Sequence, residues 1–126
     1  MKRLDHVPLN VETLQAAYAY LSTTPPFSKW NMPDSEDVVF VVERNSSVYG
    51  QYWNMGTRKK PLHHISASIK KISHTITLIE LMAHEMLHLH QDRTRQATAG
   101  VEHNAAFLRD AEKICAVHGF DPRSFI

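Results

Sequence analysis

The chain has 126 residues, enough for one compact domain and too few for two. Its hydrophobic content of 43% and charged content of 21% fit a globular chain rather than a disordered one. Fourteen Lys and Arg against thirteen Asp and Glu leave a net charge of +1, which excludes a polycation built to coat nucleic acid. No apolar run approaches the roughly 20 residues of a membrane-spanning helix. Met1-Lys2-Arg3-Leu4-Asp5-His6 lacks the apolar stretch of a secretory signal. The single Cys115 excludes an internal disulfide framework, fits a reducing, cytoplasmic setting, and reads as a small buried hydrophobe.

The first periodic segment places Val11, Leu14, Tyr18 and Leu21 three or four apart, predicting a helix with Asn10 as N-cap. Thr24-Pro25-Pro26 ends it, and the proline-containing stretch to Asp37 reads as irregular. Val38–Val42 and Ser47–Trp53 carry strand chemistry on either side of a turn at Arg44-Asn45-Ser46, predicting an antiparallel hairpin. Gly56 to Pro61, with Arg58, Lys59 and Lys60, reads as a loop, and His63 to Ile69 alternates as a third strand.

Near residue 75 the period becomes helical. Thr77 and Glu80 form a candidate capping box, and Ile79, Met82, Ala83, Met86, Leu87 and His90 keep the helical spacing. A polar stretch from Gln91 to Gly100 breaks the pattern. A last helix follows from about Asn104 to His118, with Phe107, Leu108, Ala111, Ile114 and Cys115 on one face and Gly119 as its stop. The expected class is α+β: an N-terminal helix, a small antiparallel three-stranded sheet and two further helices in a single domain over residues 1–126.

Nine histidines are many for this length, and they invite a search for ligand spacing. His84-Glu85-Met86-Leu87-His88 is an H-E-x-x-H motif inside the long helix. Residues i and i+4 share a helix face, so two imidazoles can converge on one metal ion. Glu85 lies about 100° round the helix from His84, near enough to serve a water on that metal without ligating it. Zinc lowers the pKa of such a water toward roughly 7, and the glutamate takes its proton as it attacks a carbonyl.

A catalytic zinc site needs a third protein ligand and an open fourth position. The metzincin spacing would put a histidine at position 94, which is Thr94. His90 is turned about 200° from His88 and reads as a surface or packing residue. Glu102 and Glu112 are candidates. His103 is the better one, because it opens the last helix where the returning loop could present it to the metal.

The run from Leu81 to His88, followed by His103-Asn104-Ala105-Ala106-Phe107, resembles the SprT-like metallopeptidase domain, the family of bacterial SprT proteins and eukaryotic Spartan. Phe107 holds the place of a phenylalanine common in that family four residues after the third zinc histidine. The resemblance implies a zincin-like fold, one Zn2+ held by His84, His88 and His103, and Glu85 as general base. It implies endopeptidase activity on protein or peptide substrates, including proteins bound or crosslinked to DNA. Glu102 and Asn104 flank His103 where the family often has glycine, and the single cysteine leaves no cysteine-rich ribbon. The resemblance therefore bears on peptidase chemistry more than on DNA-linked substrate choice. A module in which zinc is structural and the surface binds DNA or a partner is the alternative from a different class.

Two further expectations concern the rim of such a site. Tyr49, Tyr52 and Trp53 near Arg58, Lys59 and Lys60 read first as hairpin core and a solvated loop, and second as a base-stacking, phosphate-binding surface. His63, His64, Tyr49 and Tyr52 are candidates to stabilise an oxyanion, and the third strand is expected to border the cleft and pair with an extended substrate.

Overall fold

A computed structural model describes residues 9–44, 47–69 and 75–126. The leading Met1 to His6 segment, the Asn45-Ser46 turn and the Lys70-Lys71 pair lie outside the described residues. The fold is α+β, with helices α1 (Val11–Ser22), α2 (Thr75–Arg93), α3 (Ala105–His118) and α4 (Pro122–Phe125), and strands β1 (Val38–Glu43), β2 (Gly50–Asn54) and β3 (His63–Ser68). Among the described residues no helix is long and apolar enough to cross a membrane.

The helices begin and end where local chemistry places them. Asn10 accepts from the Thr13 amide at 2.8 Å and caps α1. Gly119 takes the left-handed conformation, φ +75°, that closes α3. α2 departs from expectation at both ends. It starts at Thr75, so Thr77 lies within the first turn and is not a cap. It also runs on through Gln91 to Arg93. Gln91 is buried and donates to Asn104 at 3.2 Å, so tertiary partners hold the extra turn that its polarity argues against. On α3, Leu108 is exposed and Asp110 is buried beside Arg109 and Lys113, so the inner face is Phe107, Ala111, Ile114 and Cys115.

The sheet differs from expectation in topology. Its order is β1-β3-β2, with β3 parallel to β1 and antiparallel to β2, so it is mixed rather than antiparallel and β1 and β2 are not neighbours. The reason lies in burial. Ile65, Ser66, Ala67 and Ser68 of β3 are buried on both faces, whereas no residue of β2 is fully buried. The strand with small residues on both faces takes the centre. Gly50 lets β2 approach it, because a Cβ there would strike the Ser66 carbonyl oxygen and the Leu81 side chain. Beyond Asn54 the chain returns through a self-bonded loop. Asn54 Oδ1 accepts from the Gly56 and Leu62 amides, and the Thr57 amide donates to the Lys60 carbonyl at 3.0 Å.

The core joins α1, the sheet, α2 and α3 through Leu14, Tyr18, Phe40, Ile65, Met82, Met86, Phe107 and Ile114. α2 is its centre, apolar round most of its circumference as a helix packed on several sides must be.

Candidate metal centre

α2 carries His84 and His88 one turn apart, and the loop from α2 brings His103 to them just before α3 begins. One ring nitrogen from each lies within 4.8 Å of the other two, and all three side chains are half-buried. His84 Nε2 and His88 Nε2 are 3.2 Å apart. Two nitrogens on a tetrahedral zinc at about 2.05 Å would be separated by ~3.3 Å, so this pair already has the spacing of two ligands. Neither Glu102 nor Glu112 belongs to the group.

Phe107 backs the cluster. Its ring is fully buried and stacks on His103 at 4.4 Å, with His88 at 4.7 Å and His84 at 5.3 Å. Asn104 holds the loop that delivers His103. Its Oδ1 caps α3 by accepting from the Phe107 amide at 2.9 Å, while Nδ2 donates to the Gln96 carbonyl at 2.8 Å and to Thr98 Oγ1 at 2.9 Å. Asn104→Ala removes cap and clamp together and is expected to cost about 2 kcal/mol in urea unfolding of the metal-free protein.

The three histidines and Glu85 line an open cleft of about 1560 Å³, walled by Gly50 to Trp53 of β2 with Val48 and Tyr49 just before it, and by the loop that carries Ala97, Thr98 and Gly100 to His103. Because β3 is central, β2 and not β3 borders this cleft, which corrects the expected strand. His63 and His64 do not line it: His63 is buried with Nδ1 2.7 Å from the Tyr52 hydroxyl, and His64 stacks on Trp53 at 5.0 Å. Tyr49, Tyr52 and Trp53 do line it, while Arg58, Lys59 and Lys60 sit exposed in the β2–β3 loop, away from its walls. The Tyr52 hydroxyl also donates to Asp92 Oδ2 at 3.0 Å, and Asn54 donates to the same oxygen at 3.3 Å. Asp92 was not singled out in the sequence, since it falls where the helix was expected to have ended. His90 packs face to face on Trp30, ring centroids 3.8 Å apart, as a packing residue. Cys115 is buried, and burial raises its thiol pKa.

Burial sets the protonation of the cluster. It pushes His88 down to about 3, with His84 and His103 adding repulsion, and it lowers His84 against the opposing pull of the Phe125 carbonyl. Burial and the repulsion both favour, at His84 and His88, the neutral imidazole a metal requires. Burial, reinforced by the charge of Glu102, pushes Glu85 up to about 8. These shifts oppose each other in the stability of the metal-free protein. His88 binds its proton in the unfolded chain below about 6.5 but not in the fold, so its contribution is present above that pH and is lost on acidification toward 3. Glu85 keeps its proton in the fold up to about 8, so its contribution is present below its unfolded pKa and is lost as pH rises through 8. In chelator, His88→Gln is expected to flatten the fall in Tm between pH 6 and 4, and Glu85→Gln the fall between pH 6 and 9. Unchanged Tm profiles would contradict both assignments.

Compared with protein-family models, with curated proteins and with solved structures, nothing matches this chain.

Proposed function

We propose that the chain is a zinc-dependent endopeptidase. The observation that carries this reading is the convergence of His84, His88 and His103 beside Glu85 in an open cleft that also has an edge strand as its wall. Three imidazoles suit zinc among the divalent ions, and no fourth His, Cys, Asp or Glu joins them among the described residues. A structural site would be closed by a fourth protein ligand, so the donor count favours catalysis over the alternative of a zinc-stabilised binding module. Bound there, the ion supplies a Lewis acid at the cleft.

The protein's own groups do the rest. The outer edge of β2 offers backbone donors and acceptors to an extended polypeptide, and the cleft is open enough to take flexible chain. The Glu85 carboxylate accepts the proton of the attacking water and returns it to the departing amine. Burial alone holds this carboxyl in its protonated form, so the base form depends on the positive charge of a bound ion, which would lower the Glu85 pKa. The resemblance of Leu81 to Phe107 to SprT-like domains supports the same chemistry and extends the proposed substrates to proteins bound or crosslinked to DNA.

The test is cleavage of a flexible protein such as casein by the zinc-loaded chain, with and without single-stranded DNA. Metal-dependent cleavage supports the peptidase, and its stimulation by DNA supports the DNA-linked substrate class. A fully folded protein with one zinc bound and no cleavage under either condition favours the binding module.

A further inference from the structure

A ligand histidine has to present the correct nitrogen, and the partner of its other nitrogen decides which one that is. His84 Nδ1 lies 2.6 Å from the carbonyl oxygen of Phe125. A carbonyl can only accept, so Nδ1 carries the proton and Nε2, the atom facing His88, keeps its lone pair.

The carbonyl is delivered by a well-fastened turn. Asp121 accepts from the Arg123 amide at 2.9 Å, Pro122 opens α4, and the Phe125 amide donates to the Asp121 carbonyl at 3.0 Å. The Phe125 ring is buried against His84 and Phe120, with centroids at 5.5 and 5.8 Å. Ser124 Oγ donates to Glu80 Oε1 at 2.9 Å. Glu80 and His84 lie one turn apart on α2, so consecutive residues of the turn engage consecutive turns of the metal-bearing helix. We infer that the segment Asp121–Ile126 is a positioning strap for the metal centre, in which the Phe125 carbonyl fixes the tautomer and ring plane of His84. The inference rests on the metal-binding reading above and adds a residue whose contribution comes from its backbone.

Replacing Ile126 by its α-hydroxy acid analogue turns the Phe125–Ile126 amide into an ester. That weakens the Phe125 carbonyl as an acceptor and leaves every side chain in place. Zinc affinity is read by competition with a chromogenic chelator, metal-free stability by melting in EDTA, and the tautomer by ¹⁵N spectra of the histidine rings. The expected result is a loss of zinc affinity of several-fold to roughly tenfold, an unchanged metal-free Tm and a smaller Nδ1–H population at His84. Ser124→Ala, which frees the strap from Glu80, is expected to lower affinity in the same direction by less. Equal affinity in wild type and ester overturns the strap and leaves the metal centre standing. A matching fall in metal-free Tm reassigns the segment to packing and also overturns it. Failure of the wild type to bind zinc removes both the strap and the reading beneath it.

Discussion

Glu85→Gln is expected to lower kcat for peptide cleavage by about 10²- to 10⁴-fold while leaving zinc affinity and KM unchanged. The amide is nearly isosteric with the carboxyl group, so it keeps the buried volume, but it cannot accept the proton. Glu85 is outside the three-nitrogen group, so nothing in the metal's donor set is lost. Glu85→Asp tests the geometry rather than the chemistry. It retains a carboxylate but withdraws it by one methylene, and a misplacement of about 1 Å costs roughly 10²-fold. Full metal-dependent cleavage by Glu85→Gln would rule Glu85 out as the base.

Zinc should raise the stability of the wild type by about 4 kcal/mol when present at a thousand times its Kd, a rise in Tm of roughly 15 °C for a chain of this length. His103→Ala is expected to weaken binding by at least roughly 100-fold, since even partners behind the ligands are worth 10- to 100-fold. At the same zinc concentration the stabilisation then shrinks to about 1.4 kcal/mol. Because His103 is half-buried against Phe107, the variant is also expected to lose some stability without metal, so the comparison has to be between zinc-induced shifts. A shift that keeps its full size in His103→Ala would exclude this residue as a ligand.

The parts of this protein that could be read from its residues are those governed by local spacing. An i, i+4 histidine pair must share a face wherever the helix lies, and His103 follows α2 closely enough along the chain that the connecting loop returns it to the same end. Both placements hold in the structure. Neighbour choice in the sheet has no such local rule. Alternation predicts three strands and leaves open which lies in the middle, and only the burial of small side chains on both faces of β3 settles it. The end of α2 was hidden for a related reason: Gln91 and Asp92 look like helix breakers in isolation and become helical through Asn104, Tyr52 and Asn54. The Phe125 carbonyl had no sequence signal at all, because every residue has a carbonyl and only the tertiary path of the chain aims this one.

The central position of β3 also sets an order of assembly. β2 and β3 are joined by a short loop that carries its own hydrogen bonds, so their pairing closes little chain and forms early. β1 pairs with β3 from much farther along the chain, Val38 meeting His63 in parallel, and must wait for β3 to exist as a strand. Until it docks, the early hairpin exposes the unpaired edge of the strand that ends up most buried, which is the interval in which a nascent chain is most open to sticking to its neighbours. Substitutions in the Asn54–His63 loop should therefore change the yield of folded protein more than its final stability.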